Sequence, residues 1–147
     1  MFTTSLVLAA VASLAAAAPE ADRVESLPEM GTFDQYGVYS GYLPIEDTAK
    51  RLHYMFVESQ NEPSTDPLIV WFNGGPGCSS MLGWAQEHGP WAMENGGSTF
   101  HENEWSWNKE ANMLYIESPA GVGFSYCEGF ADCTFNDDKS AEDNLAA

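Results

Sequence analysis

The segment from Leu68 to Ser80 constrains the fold most, because an apolar strand pattern runs directly into a glycine-rich turn. The five apolar residues 68–72 show no alternation, which predicts a strand covered on both faces, as in a parallel sheet. The following Asn-Gly-Gly-Pro-Gly allows a ligand to approach the backbone closely. Ser79 or Ser80 is then expected to cap a helix that ends near Gly89-Pro90. A glycine turn before a helix N-terminus presents N–H groups that stabilise a negatively charged oxygen.

Three interpretations compete for residues 73–80, which we call the glycine loop. A nucleotide phosphate loop fits poorly, because the Walker pattern requires a lysine that this loop lacks. The dinucleotide fingerprint Gly-x-Gly-x-x-Gly, started at Gly75, has Ser80 in its last position. A structural turn without chemistry is the default for a Gly-Gly pair. The third interpretation is the oxyanion-hole loop that follows the third strand of an α/β-hydrolase.

Composition describes a globular, acidic chain. Its 147 residues suffice for one small domain with a core, and 44% of them are hydrophobic and 13% aromatic. The net charge of −17 argues against nucleic acid or an anionic membrane surface as a partner. Such acidity fits either solubility alone or service in an acidic compartment, and it does not choose between them.

Residues 1–18 are expected to form a secretory signal peptide, and residues 19–147 to form the mature chain. The apolar stretch 6–14 is too short to span a bilayer, and small residues follow it. Cleavage after Ala17 satisfies the small-x-small rule, whereas cleavage after Ala18 places Pro19 beside the scissile bond. The chain is therefore predicted to enter the secretory pathway and to be lumenal or secreted, with no membrane partner.

Strand-like patterns flank the glycine loop. Residues 38–43 and 51–58 are rich in aromatic and β-branched side chains, and the short polar linker between them predicts an antiparallel hairpin. Within this hairpin His53 is interpreted as a structural residue. Residues 112–117 predict a further buried strand, a second glycine-rich loop follows at 118–126, and a helix is expected to begin at Ser140.

The three cysteines, Cys78, Cys127 and Cys133, leave one thiol over in a secreted chain. Cys127 and Cys133 are close enough in sequence to close a small loop, which would leave Cys78 alone. The cysteines and the three histidines lack the spacing of a metal site, so neither a metal nor another cofactor is expected.

Several motifs together resemble the serine carboxypeptidase family. They are the glycine loop with its strand, Glu87-His88-Gly89-Pro90, Trp107-Asn108 and the run 117–126, within a resemblance that extends from about Val38 to Tyr126. The resemblance implies an α/β fold, namely the N-terminal part of an α/β-hydrolase in which an antiparallel hairpin leads into a mostly parallel sheet. It also implies release of C-terminal residues from peptides by a Ser-His-Asp triad in an acidic organelle. The implied partner is a peptide with a free C-terminal carboxylate.

Site roles follow from the same resemblance. Gly75 matches the glycine whose backbone N–H forms half of the oxyanion hole, and Gly74 lies beside it in the substrate-binding loop. Asn73 matches the asparagine that binds the terminal carboxylate, and Trp71 matches the tryptophan beneath that site. Glu87 matches a glutamate paired with a second glutamate in the nucleophile motif. Because two touching carboxyls cannot both ionise cheaply, one keeps a proton and can donate it to the substrate.

The sequence departs from the family at the nucleophile. The family motif Gly-Glu-Ser-Tyr-Ala-Gly is absent, and so is any Gly-x-Ser-x-Gly. Ser79, Ser80 and Ser125 are interpreted as structural, and Cys78 matches a cysteine bridged to one far downstream. The chain is therefore expected to be an incomplete N-terminal portion, without the triad and inactive by itself. The alternatives are a carboxypeptidase-like acyltransferase and a secreted, non-catalytic binding fragment; the oligomeric state is not predicted.

Overall fold

The computed structural model describes residues 18–129 and 134–147. The predicted signal peptide up to Ala17 and Cys133 therefore lie outside the described residues. Within the described ranges, no helix combines the length and apolar character that a membrane span needs.

Short strands dominate the described chain. They are β1 (Ser26–Leu27), β2 (Gly31–Thr32), β3 (Val38–Pro44), β4 (Lys50–Val57), β5 (Leu68–Trp71), β6 (Trp91–Glu94), β7 (Thr99–Glu102), β8 (Asn112–Ile116) and β9 (Tyr126–Cys127). The helical elements are 3₁₀ turns at Glu20–Asp22 and Trp107–Lys109, a π-helical turn at Gly83–Glu87, and the α-helix α1 (Asp137–Ala146).

The central sheet has the strand order β3-β4-β8-β5, with β9 paired to the start of β4. Strands β3 and β4 form the predicted antiparallel hairpin, in which Val38 lies opposite Val57. Strand β8 runs antiparallel to β4 and parallel to β5. Because β5 and β8 run side by side, the loops that leave their carboxyl ends emerge at the same edge of the sheet, which is where ligands bind in open α/β sheets.

Apolar side chains of β4 and β8 alternate between two faces and feed two separate clusters. One cluster contains Met55, Val57, Met113 and Tyr115, together with Trp84 from the π-helical turn. The other cluster contains the even-numbered Leu52, Tyr54 and Ile116, together with Tyr39 from β3. Each fully buried side chain of this size contributes about 1.5–3 kcal/mol. The two inner strands therefore form the rigid part of the structure.

Strand β5 differs from the prediction that both its faces are covered. Ile69 and Trp71 pack against the core, but Leu68 is 56% exposed and Val70 is 44% exposed. The reason is position, because β5 is the last strand in the described sheet and described residues cover only one of its faces. Apolar composition indicated burial but could not identify the covering element.

Two local predictions also need correction. The helix expected after the glycine loop is present at residues 81–87, with Ser79 Oγ accepting from Met81 N, but five of its residues, Gly83–Glu87, form a π-helical turn. The chain 91–102 forms an unpredicted antiparallel hairpin, β6–β7. Helix α1 begins at Asp137, three residues before the predicted start. Its start is set by Asn136, whose side chain accepts a hydrogen bond from Lys139 N at 2.8 Å.

Candidate functional site

Asn73 is held with its side-chain oxygen occupied. Its Oδ1 accepts hydrogen bonds from Trp71 Nε1 at 2.8 Å and from Gly83 N at 3.2 Å. Both partners can only donate, so this atom must be the oxygen of the amide. A Cβ at position 83 would lie 2.5 Å from Trp71 Nε1, which explains the glycine there. The Nδ2 group consequently faces away, and no described residue accepts a hydrogen bond from it.

The two ends of the glycine loop are fastened to each other and to β8. Asn73 N donates to Ser80 Oγ at 3.1 Å, and this buried hydroxyl donates to Ile116 O at 2.6 Å. Ser79 Oγ accepts from Met81 N at 3.1 Å and donates to the Glu117 carboxylate. Both serine hydroxyls are thus engaged in structural hydrogen bonds, in agreement with the structural interpretation of Ser79 and Ser80.

Between these ends, residues 74–78 are all exposed. Gly75 has a φ of +151°, and a Cβ there would lie 2.8 Å from Gly77 N, so only glycine fits. No described residue accepts a hydrogen bond from the Gly75 N–H. The loop therefore presents a backbone donor at Gly75 close in sequence to the amide donor of Asn73.

A cleft of about 420 Å³ lies next to this loop. Its walls are the loop residues 72–76, the pair Ser118-Pro119 and the first turns of α1, and the α1 wall includes Asn136, Ser140 and Asn144. The structure thus brings the predicted residues Asn73, Gly74 and Gly75 to one cleft. Neither Trp71 nor Glu87 lines it; Trp71 acts on the cleft through Asn73, and Glu87 is exposed at the end of the π-helical turn.

A cluster of aromatic rings packs against Trp71. The Trp71 ring meets His88 edge-on at 4.3 Å, and His88 stacks on Trp107 at 4.3 Å. His88 Nδ1 lies 3.1 Å from Tyr115 OH. Burial lowers the pKa of His88, an effect that the nearby Glu87 partly opposes. Sequence reasoning missed this stack, because its members are far apart in the chain.

Glu117, at the end of β8, is the centre of a buried polar network. Its fully buried carboxylate accepts hydrogen bonds from Ser79 Oγ, from His53 Nδ1 at 3.0 Å and from Phe124 N at 2.7 Å. Burial raises the pKa of Glu117, but these hydrogen bonds outweigh burial and the net pKa is lowered. One sequence signal could have identified Glu117, because it is an acidic residue at the end of an otherwise apolar strand.

The cysteines are partly described. Cys127 is disulfide-bonded, while Cys133, its predicted partner, lies outside the described residues. Cys78 is free and exposed. Among residues 18–129 and 134–147, no group of histidine, cysteine, aspartate and glutamate side chains could hold a metal ion.

Comparison with known proteins gives a consistent result. A family model described as serine carboxypeptidase matches residues 28–147. The lysosomal protective protein of Mus musculus is 48% identical over 142 residues, which cover 97% of this chain and 30% of that protein. Serine carboxypeptidase-like 20 of Arabidopsis thaliana is 42% identical, covering 99% of this chain and 31% of its own length. P-(S)-hydroxymandelonitrile lyase of Sorghum bicolor is 46% identical, with coverage of 84% and 25%.

A solved structure shares the fold. Kex1(delta)p, a prohormone-processing carboxypeptidase from Saccharomyces cerevisiae, matches with a TM-score of 0.61 and 25% identity, over 76% of this chain and 26% of that chain. This likeness confirms the predicted class, an α/β-hydrolase fold. The chain spans between 25% and 31% of the length of the three curated relatives named above.

Proposed function

Because this chain belongs to the serine carboxypeptidase family, we propose that it carries the part of a carboxypeptidase site that recognises a peptide's terminal carboxylate. In this proposal Asn73 Nδ2 donates to the substrate carboxylate, and Gly75 N–H donates to the oxyanion that forms as the peptide bond is attacked. The observation that carries the proposal is the orientation of Asn73. Its Oδ1 is occupied by two protein donors, which leaves a fixed NH₂ group for a ligand.

Electrostatics supports recognition by neutral groups. Among the described residues, no basic side chain lines the cleft, and Lys50 is already paired with Asp143 at 2.7 Å. The basic residues of the chain are Arg23, Lys50, Arg51, Lys109 and Lys139. A carboxylate approaching a chain of net charge −17 therefore needs uncharged donors. Asn73 is one such donor. The family resemblance implies a second, a carboxyl that Glu87 would share with a glutamate of the nucleophile motif, although Glu87 itself does not line the described cleft.

The nucleophile and its base are not among these residues. Without a Gly-x-Ser-x-Gly motif, the 147 residues supply binding and half of an oxyanion hole, and positioning without attack gives little rate. We therefore expect the chain alone to release no C-terminal residue from a peptide. Turnover that a serine-directed phosphonate inhibits would contradict this. The name of the mouse relative supports a lysosomal or other secretory-pathway location.

The reaction assigned to the family site needs a direct test, because the related proteins include a lyase. An acyltransferase or a lyase could use the same oxyanion donor, but neither must bind a peptide's terminal carboxylate. We propose an NMR titration of the chain with an N-acetylated dipeptide, once as the free acid and once as the C-terminal amide. The free-acid dipeptide should shift the NMR signals of the Asn73 side-chain NH₂ and of the Gly75 backbone N–H. The dipeptide with a C-terminal amide should shift both signals much less.

Asn73→Asp provides the matched variant. The aspartate can still accept from Trp71 and Gly83, but it replaces the free donor by a negative acceptor. The affinity for the free acid should fall at least about tenfold, as expected for the loss of a hydrogen bond to a charged group. Asn95→Asp adds the same charge on the exposed β6–β7 turn and should leave binding unchanged. Equal binding of acid and amide to the wild type would refute carboxylate recognition.

A further inference from the structure

We propose that Glu117 is a positioning residue that holds the glycine loop in place through Ser79. The inference deepens the proposed function and rests on it, because the loop it positions carries the Gly75 donor. Glu117 does not line the cleft, and its side chain is fully buried at the end of β8. Its carboxylate would set the geometry of the oxyanion donor without touching the substrate.

Two serines at its C-terminal end hold the glycine loop in place. Residues 74–78 are exposed, and the loop is fastened at Ser79 and Ser80. Ser80 bonds a backbone carbonyl, which any sequence would supply at that position of β8. Ser79 instead bonds a side chain, Glu117. The attachment at Ser79 therefore depends on the identity of one residue on the neighbouring strand.

Glu117 is itself held in place by neighbouring elements. Its other carboxylate oxygen accepts from His53 Nδ1 and from Phe124 N, so the carboxylate is fixed from β4 and from the loop after β8. A Cβ on Gly123 would collide with this carboxylate, so glycine lets the loop close around it. Ser125 Oγ also donates to Glu117 O at 2.6 Å. The oxygen offered to Ser79 is therefore presented from a fully constrained side chain.

The surroundings of Ser40 and His53 separate the positioning role of Glu117 from a catalytic one. His53 Nε2 lies 2.8 Å from Ser40 Oγ, so Ser40, His53 and Glu117 share the connectivity of a Ser-His-acid triad. However, Ser40 lies inside β3, paired with β4, rather than on a glycine turn that could present oxyanion donors. An ionised Glu117 only accepts, which requires His53 to donate from Nδ1. In this arrangement, His53 orients Glu117, and Glu117 orients Ser79.

The test measures loop order rather than activity, so its outcome is independent of the carboxylate titration. Backbone NMR order parameters of Gly74, Gly75 and Gly77 are compared in the wild-type chain and in Glu117→Gln. The wild-type values should be those of an ordered backbone, about 0.85, and those of the variant should fall towards about 0.6. Order parameters in β4 and β8 should remain at wild-type values.

Matched variants separate positioning from general stability. Ser125→Ala removes a hydrogen bond to the Glu117 backbone but none to its carboxylate, so the glycine loop should stay ordered. Ser79→Ala should disorder the loop as Glu117→Gln does, and Ser79→Thr, which keeps the hydroxyl, should restore it. The double variant Ser79→Ala/Glu117→Gln should be no worse than either single variant.

Three results would overturn the proposal: an ordered loop in Glu117→Gln, equal disorder in Ser125→Ala, or additive effects in the double variant. Should Glu117→Gln fail to fold, the comparison of Ser79→Ala with Ser79→Thr decides alone, because an ordered loop in Ser79→Ala refutes the role. If the loop loosens as expected while free-acid and amide dipeptides bind alike, the positioning role stands and carboxylate recognition fails.

Discussion

The glycine loop and the loop 117–125, here called the glutamate loop, leave neighbouring parallel strands at the same edge of the sheet. Both combine glycines of positive φ with a proline. Residues 74–78 of the glycine loop are all exposed, whereas the glutamate loop buries Ala120, Val122 and Ser125 as it encloses Glu117. Similar compositions thus yield two different structures.

The difference lies in how each loop uses its hydrogen-bond donors. In the glutamate loop Phe124 N is bound by the Glu117 carboxylate, so this donor serves stability. In the glycine loop no described residue accepts from Gly75 N–H or from Asn73 Nδ2, so those donors remain for a ligand. In the glutamate loop, the buried Glu117 carboxylate occupies the loop's own donor, so that loop is structural. The glycine loop encloses no such acceptor, so its donors can bind a ligand.

The largest expected effect comes from placing the same methyl group in each loop. Gly123→Ala directs a Cβ into the Glu117 carboxylate, whereas Gly77→Ala meets no atom within 4 Å. We expect Gly123→Ala to lower the free energy of unfolding by about 3 kcal/mol or more, because it breaks a buried charged network. Gly77→Ala should cost only the backbone strain, about 1–2 kcal/mol. Urea unfolding of both variants measures the difference.

This pair of variants discriminates between two causes. The φ of Gly77 is +98°, farther from the left-handed region near +57° than the +54° of Gly123. Backbone strain alone would therefore make Gly77→Ala the more harmful change. Equal losses, or a larger loss at position 77, would show that the glutamate loop is not packed around Glu117 as described.

The second effect is a change in acid sensitivity. Because the pKa of Glu117 is lowered on folding from its usual value near 4.5, the ionised form stabilises the folded chain above that value. This contribution is lost as pH falls from about 4.5 through the lower folded pKa. Glu117→Gln should therefore cost about 2 kcal/mol near neutral pH and progressively less in that acidic window. Unfolding free energies measured across pH check this.

Ser125→Ala is the control for acid sensitivity. It removes a hydroxyl from the same network without removing a titrating group, so its cost should not vary with pH. If the cost of Glu117→Gln is likewise constant from neutral to acidic pH, the carboxylate does not bind its donors in ionised form. The network would then be held by the shape of the side chain alone.

Sequence patterns predicted individual strands and loops better than the tertiary contacts and burial of those elements. The β3–β4 hairpin was predictable because aromatic and β-branched composition and a short polar linker are local features. The glycine loop and its donors were identified by family resemblance, and the orientation of Asn73 follows from residues 71 and 83, close to it in the chain. The exposure of β5 and the Glu117–His53 contact depend on residues more distant in sequence, and no local pattern reports them.

A smaller effect is expected at Glu87, which would alter binding rather than stability. In a chimaera that joins this chain to the downstream part of the mouse relative, Glu87→Gln should leave folding intact, because Glu87 is exposed. In the proposed site, Glu87 would share a proton with the glutamate of the nucleophile motif, as the family resemblance implies. The substitution would remove that shared proton, so the partner glutamate is expected to ionise at lower pH and to repel the substrate. As pH increases, KM for free-acid peptides should rise about three- to tenfold. In the Glu87→Gln chimaera this rise should begin at a lower pH than in the unsubstituted chimaera.

An ester or amide-blocked substrate is the control for Glu87. It carries no terminal carboxylate, so its KM should change far less across the same pH range. If KM changes equally for free-acid and blocked substrates at every pH, Glu87 has a structural role and its assignment to the carboxylate site is wrong.

The smallest effect is expected at Cys78, where the glycine loop has no packing to lose. Cys78 is exposed and its thiol is free, so Cys78→Ser should change the free energy of unfolding by less than about 0.5 kcal/mol. Cys127→Ser, which removes a disulfide bond, should cost about 2 kcal/mol or more. In the folded, isolated chain a thiol reagent should label Cys78 at once and Cys127 only after reduction, which mass mapping can follow. A disulfide between Cys78 and Cys127 would contradict both assignments, because it would tie the exposed loop to β9 and remove the contrast between the two loops.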